Sequence, residues 1–202
     1  QTMKEEEVEY RYFNINNDDN LEFRDDSLEV SGYGIVFDTE SRLLGDFVEI
    51  INNRALDSVD MSDVLLLSQH KMDDVLARTD SGTMSLNVTD KGVHFRATLP
   101  DTTLGRDTYT LIKRGDLKDM SFGFTVENDT WDTSKTPYKR TVNKIGQLVE
   151  LSVVTRGAYK QPNVSHRSLQ NKEKCINCMV DYKKGDEIFN EMKSIYNQMK
   201  KD

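Results

Sequence analysis

Apolar residues recur with a period of two along much of this chain, and that spacing favours β-sheet over helix. The clearest run is 120–126 (MSFGFTV). Met120, Phe122, Phe124 and Val126 face one way there, and Ser121, Gly123 and Thr125 face the other. Residues 148–155 (LVELSVVT) repeat the pattern, with Val149, Leu151 and Val153 on one face and Glu150 and Ser152 opposite. Residues 8–15 alternate Val8, Tyr10 and Tyr12 against Glu9, Arg11 and Phe13. Further strands are expected over 29–37 (EVSGYGIVF) and 47–51, and over the apolar run 63–70 (DVLLLSQH), which turns polar at its end. Residues 83–88 and 93–99 flank Thr89-Asp90-Lys91-Gly92 and read as a hairpin.

Helices are few. Asp101 or Thr102 can cap one that runs to Gly115, with Leu104, Thr108, Leu111 and Ile112 on its inner face. Residues 53–60 suggest a second, short helix. Ile188, Met192, Ile195, Tyr196 and Met199 form an apolar stripe at helical spacing over 186–199. The expected architecture is mainly β with flanking helices (α+β), a closed or nearly closed barrel of about seven strands. The expected domain covers 1–159. A polar linker follows over 160–185, then an amphipathic helix over 186–202.

A chain of 202 residues with 31% charged side chains and 36% hydrophobic ones suits one globular domain with polar extensions. The net charge of −8 argues against a nucleic-acid backbone as partner, and no apolar run is long enough to span a membrane. Residues 1–29 carry ten acids and three bases, whereas 160–202 carry nine bases and six acids. The plain reading of such asymmetry is solubility; docking on an acidic partner is the other. The acidic opening residues do not read as a secretory signal.

Cys175 and Cys178 are the only cysteines, which excludes a disulfide framework and suits a reducing compartment. They supply half of a zinc-site spacing, with His166 the only further ligand nearby, so no metal site is expected. No glycine-rich phosphate loop, HExxH helix or GxSxG elbow is present. Three residues stand out as chemistry. His70 ends an apolar strand, Ser121 lies between large apolar neighbours, and Glu150 is a carboxylate inside an apolar run. Each has a structural reading: a satisfied histidine, a small polar filler, a paired acid. Together they also fit a Ser–His–acid site.

Four blocks in order carry a more specific signal: SGYGIVFDTESRLLGDFVEII, DVLLLSQHKMDDVLART, SGTMSLNVTDKGVHFRATLPDTTLGRDTYTLIKRGDLKDMSFGF and LVELSVVTRGAY. Over residues 8–159 the chain resembles the prohead (procapsid) maturation proteases of tailed bacteriophages, which are related in fold to the herpesvirus assembly proteases. It departs from them at Gln69-His70-Lys71, where the family usually has Asn-His-Asp, and at Gly157, where it often has Pro.

The resemblance implies a serine endopeptidase with Ser121 as nucleophile, His70 as general base and Glu150 as the orienting acid. The oxyanion donor would be a backbone N–H of the Thr155-Arg156-Gly157 turn, assigned to Arg156. In the herpesvirus relatives a second histidine takes the third place. His94 is the only body histidine available for it here, and its position does not match the motif. The implied partners are the major capsid protein or its scaffold segment, a scaffolding protein and further copies of the chain. Cleavage would occur inside the procapsid, in the host cytoplasm, without a cofactor, and the chain would trim itself. The rival reading is a non-catalytic scaffolding or interaction module of the procapsid with a protease-like fold.

Overall fold

The computed structural model describes residues 7–13, 21–24 and 27–155. The proposed linker, the C-terminal helix, Arg156, Cys175 and Cys178 lie outside them. Among the described residues there are ten strands and one helix: β1 (Glu9–Phe13), β2 (Glu22–Arg24), β3 (Glu29–Val36), β4 (Phe47–Ile51), β5 (Leu65–Ser68), β6 (Val75–Arg78), β7 (Met84–Val88), β8 (Gly92–Thr98), α1 (Thr103–Arg114), β9 (Asp119–Asp132) and β10 (Tyr138–Val154).

The long β9 and β10 pair antiparallel and form the spine of a six-stranded sheet in the order β1-β9-β10-β5-β6. β10 is long enough to serve two parallel neighbours on one edge. Tyr138–Val142 pairs with β4, and Glu150–Val153 pairs with β5. A second sheet runs β2-β3-β8-β7, and β7–β8 is the hairpin expected from its loop residues.

The sheets do not close into a barrel. The edge strands β1 and β6 of one sheet do not pair with β2 or β7 of the other, so no ladder joins the two among the described residues. They meet through side chains instead: Val30, Ile35 and Phe95 share one apolar cluster with Leu66, Phe122 and Leu151. They come close at Gly34, where a Cβ would lie 2.7 Å from Cδ1 of the fully buried Leu151.

Local chemistry explains where the sequence reading holds and where it fails. Thr102 caps α1 by accepting the Gly105 N–H at 3.3 Å, and Gly115 ends the helix at φ 79°. The buried face of the helix is Gly105, Thr108, Tyr109 and Ile112, while Leu111 points to solvent. Residues 53–60 form turns, not a helix. Ala55, Asp57 and Val59 donate three residues back, and Asn52 Oδ1 accepts the Arg54 N–H. In β10 a register shift between Leu148 and Glu150 puts Leu148 into the core with Leu151 and Val153 and leaves Val149 half-buried.

β1 inverts the usual alternation: Glu9 and Arg11 are buried, whereas Tyr10 is exposed. The buried charges form a network with Glu49 of β4 and Arg140 of β10. Arg11 bonds Glu9 and Glu49, Arg140 Nη1 reaches Glu9 Oε2 at 2.6 Å and Glu49 Oε2 at 2.9 Å, and Arg140 Nε reaches Asp129 at 2.7 Å. Burial opposes the Arg140 charge. The hydrogen bond to Glu9 and the charges of Glu49, Glu9 and Asp129 outweigh it and hold the guanidinium above its ordinary pKa. Part of the N-terminal acidity is thus internal wiring that fastens β1 to the sheet.

Two stability effects follow. Gly34→Ala should destabilise the fold by about 1–3 kcal/mol, because Leu151 has no room to yield. A urea midpoint equal to wild type would show that the two sheets pack more loosely than described. Arg140→Met should cost about 3–5 kcal/mol by leaving Glu9, Glu49 and Asp129 short of a cation. The same urea titration reads it, and a neutral result would mean the network is solvated.

Candidate active site

The site forms where β5 stops. β5 runs parallel to β10 as far as Ser68, opposite Val153. Gln69 and His70 then both take left-handed backbone conformations, at φ 57° and 59°. Neither is glycine, so each carries a steric cost of order 1 kcal/mol that neighbouring bonds must offset. Those bonds are present. The Gln69 N–H donates to the Val153 carbonyl at 3.1 Å, and the Lys71 N–H donates to the Ser68 carbonyl at 3.1 Å. The His70 N–H donates to Ser152 Oγ at 3.1 Å.

This turn swings the imidazole over the end of β10. His70 Nδ1 lies 2.8 Å from Glu150 Oε1, and Glu150 is almost fully buried, at 1% exposure. An ionised carboxylate can only accept, so Nδ1 carries the proton of this contact, and in the neutral ring Nε2 is then the acceptor. Nε2 is buried and has no hydrogen-bond partner among the described residues. The other oxygen of Glu150, Oε2, accepts from Ser152 Oγ at 2.6 Å.

Tyr10 and Tyr12 of β1 flank the ring edge-on, with centroids 4.9 Å and 5.5 Å from it. Partial burial, and secondarily the Glu150 charge, push the Tyr10 hydroxyl above its ordinary pKa, so it is neutral at physiological pH. Gly123 makes this crowding possible. A Cβ there would lie 2.9 Å from the Tyr10 ring and 3.0 Å from Glu150 Oε1. The space over Gly123 is therefore filled by the site's own side chains.

Ser121 occupies the next strand, paired with Tyr12 on one side and with Ser152 on the other. Directly opposed residues in a ladder hold their Cβ atoms about 4.5–5.5 Å apart, so Ser121 adjoins the serine that touches both His70 and Glu150. Ser121 is fully buried, and its hydroxyl donates to the Arg11 carbonyl at 2.8 Å, not to His70. The structure thus joins His70 and Glu150 directly and sets Ser121 one strand away.

Of the other sequence candidates, His94 lies in the second sheet on β8, with its ring against Tyr33, and takes no part in the site. Arg156 falls outside the described residues. Gln69, one of the departures from the family motif, has its own partner: its Oε1 accepts the Thr155 N–H at 3.4 Å. Ser152, Tyr10 and Tyr12 carry no catalytic signal in the sequence. The one hint is that the tyrosines alternate with charges that turn out to be buried.

No curated protein sequence matches this chain. Among solved structures it is similar to the capsid assembly protease gp21 of bacteriophage T4. The TM-score is 0.52 and the identity 13%, over 76% of this chain and all of that one, which is a likeness of fold. The profile of the caudovirus prohead serine proteases matches residues 14–175. That match spans most of the sequence and includes Ser121, His70 and Glu150, and by it the chain belongs to the caudovirus prohead serine protease family.

Proposed function

We propose that Ser121, His70 and Glu150 form the catalytic triad of a phage prohead endopeptidase. The observation that carries this reading is the contact of His70 Nδ1 with Glu150, which leaves a buried, unpartnered Nε2 beside the nucleophile strand. Such an arrangement fixes the tautomer needed in a general base. In the reaction Ser121 Oγ gives up the Arg11 carbonyl and turns its proton toward His70 Nε2. Because Ser121 is buried, a substrate carbonyl reaches it only after the packing over it has shifted.

Attack then transfers the proton to His70, and Glu150 stabilises the imidazolium. His70 returns that proton to the leaving amine, and water releases the acyl group by the same relay. The oxyanion donor in this reading is the Arg156 main-chain N–H. Its predecessor Thr155 is held by Gln69, next to the base, which supports that choice. Only side chains, main chain and water are required.

The substrates are scaffolding protein or the scaffold segment of the major capsid protein, and the protease itself, cleaved inside the procapsid. Family membership supports this reading. The non-catalytic scaffolding alternative is disfavoured, since a passive module has no use for an aligned base and acid.

Two kinetic outcomes are expected. Ser121→Ala should abolish processing of co-expressed capsid substrate, by about 10⁶-fold in kcat, while leaving the melting temperature close to wild type. Processing at a comparable rate would reject Ser121 as nucleophile. Glu150→Gln should lower kcat by about 10⁴-fold, and adding it to His70→Ala should cost little more than His70→Ala alone. Fully additive losses, read by quantitative fragment analysis, would mean the two residues do not act as a unit.

A further inference from the structure

We propose that Ser152 is a positioning residue of the protease, locking the acid and the base into one geometry. The inference rests on the triad reading and extends it by a fourth side chain. Ser152 is fully buried in β10, two residues from Glu150 and directly opposite Ser121. Its hydroxyl has one proton and lone pairs to spare, and both capacities are spent on the site. The proton goes to Glu150 Oε2 at 2.6 Å, and a lone pair accepts the His70 N–H at 3.1 Å.

Each bond answers a specific need. Glu150 presents Oε1 to the imidazole, and the donor on Oε2 stops the carboxylate from rotating away. His70 sits in the left-handed region beside an equally strained Gln69. The bond from its N–H to Ser152 helps hold that backbone, and with it the direction of the ring. One hydroxyl therefore sets where the acid points and where the base is hung. Ser152 touches neither substrate nor reacting atoms in this scheme; it acts through Glu150 and His70.

The charge effect has a definite sign. The Ser152 hydroxyl shares the negative charge of Glu150. Without it, more of that charge bears on His70, and the imidazolium is favoured to higher pH. Ser152→Ala should therefore lower kcat by about tenfold to a hundredfold, the worth of a hydrogen bond to a charged group. It should also move the acid limb of the kcat/KM profile to higher pH, and amide exchange at His70 should quicken. Ser152→Cys keeps the shape but donates weakly, so it should change all three in the same direction by less; it decides the matter if the alanine variant does not fold. Ser31→Ala, a buried serine in the second sheet, is the control and should leave the acid limb in place.

An unmoved acid limb in both Ser152 variants would overturn the proposal, even with kcat reduced, because a merely structural loosening does that. If the Ser152 variants match wild type while Ser121→Ala and His70→Ala are inactive, Ser152 has no positioning role and the triad stands. Activity in Ser121→Ala or His70→Ala would sink the triad itself.

Discussion

A carboxylate buried in a β-sheet must have its oxygens hydrogen-bonded, or its desolvation counts against the fold. Glu150 meets that condition with the His70 ring on Oε1 and Ser152 on Oε2. Much of the local architecture serves the same contact. The register shift after Leu148 turns Glu150 and Ser152 onto the face opposite the core. The parallel pairing of β5 with β10 brings His70 alongside, and the strained pair Gln69-His70 aims the imidazole inward. Gly123 on β9 leaves the volume that the carboxylate and the Tyr10 ring occupy.

The N-terminal strand supplies the remaining wall. Its charged face is buried against Glu49 and Arg140, and this fixes β1 beside β9. Its tyrosine face then stands over His70, and the Arg11 carbonyl holds the Ser121 hydroxyl. In this arrangement His70 and Glu150 are in direct contact, while the Ser121 hydroxyl is bonded to main chain.

Much of this was legible in sequence wherever one side-chain pattern dominates its surroundings. The strand at 120–126, the span of β4 and the Thr102 and Gly115 caps of α1 match the structure because local propensity decides them, although Ser121 and Thr125 are buried along with Phe122 and Phe124 and burial does not alternate along β9. The reading fails where tertiary pairing overrides the pattern. Val149 leaves the core because of a bulge, the turn at 53–60 is held by bonds three residues apart, and β1 buries its ionic side. The barrel does not close because the outer strands β1 and β6 do not pair with β2 or β7, which strand counting cannot reveal. Ser121, His70 and Glu150 were reached through motif order. Ser152 was not, since a serine in a strand is unremarkable until a partner 82 residues away is brought onto it.

The triad proposed above requires that His70, aligned by Glu150, activate Ser121. A fluorophosphonate probe tests it most directly, because stable labelling requires an activated serine. Intact-mass and peptide mapping of the labelled protein should show a single adduct on Ser121 that is lost in His70→Ala. An adduct on another serine, or equal labelling of Ser121 without His70, would contradict the account.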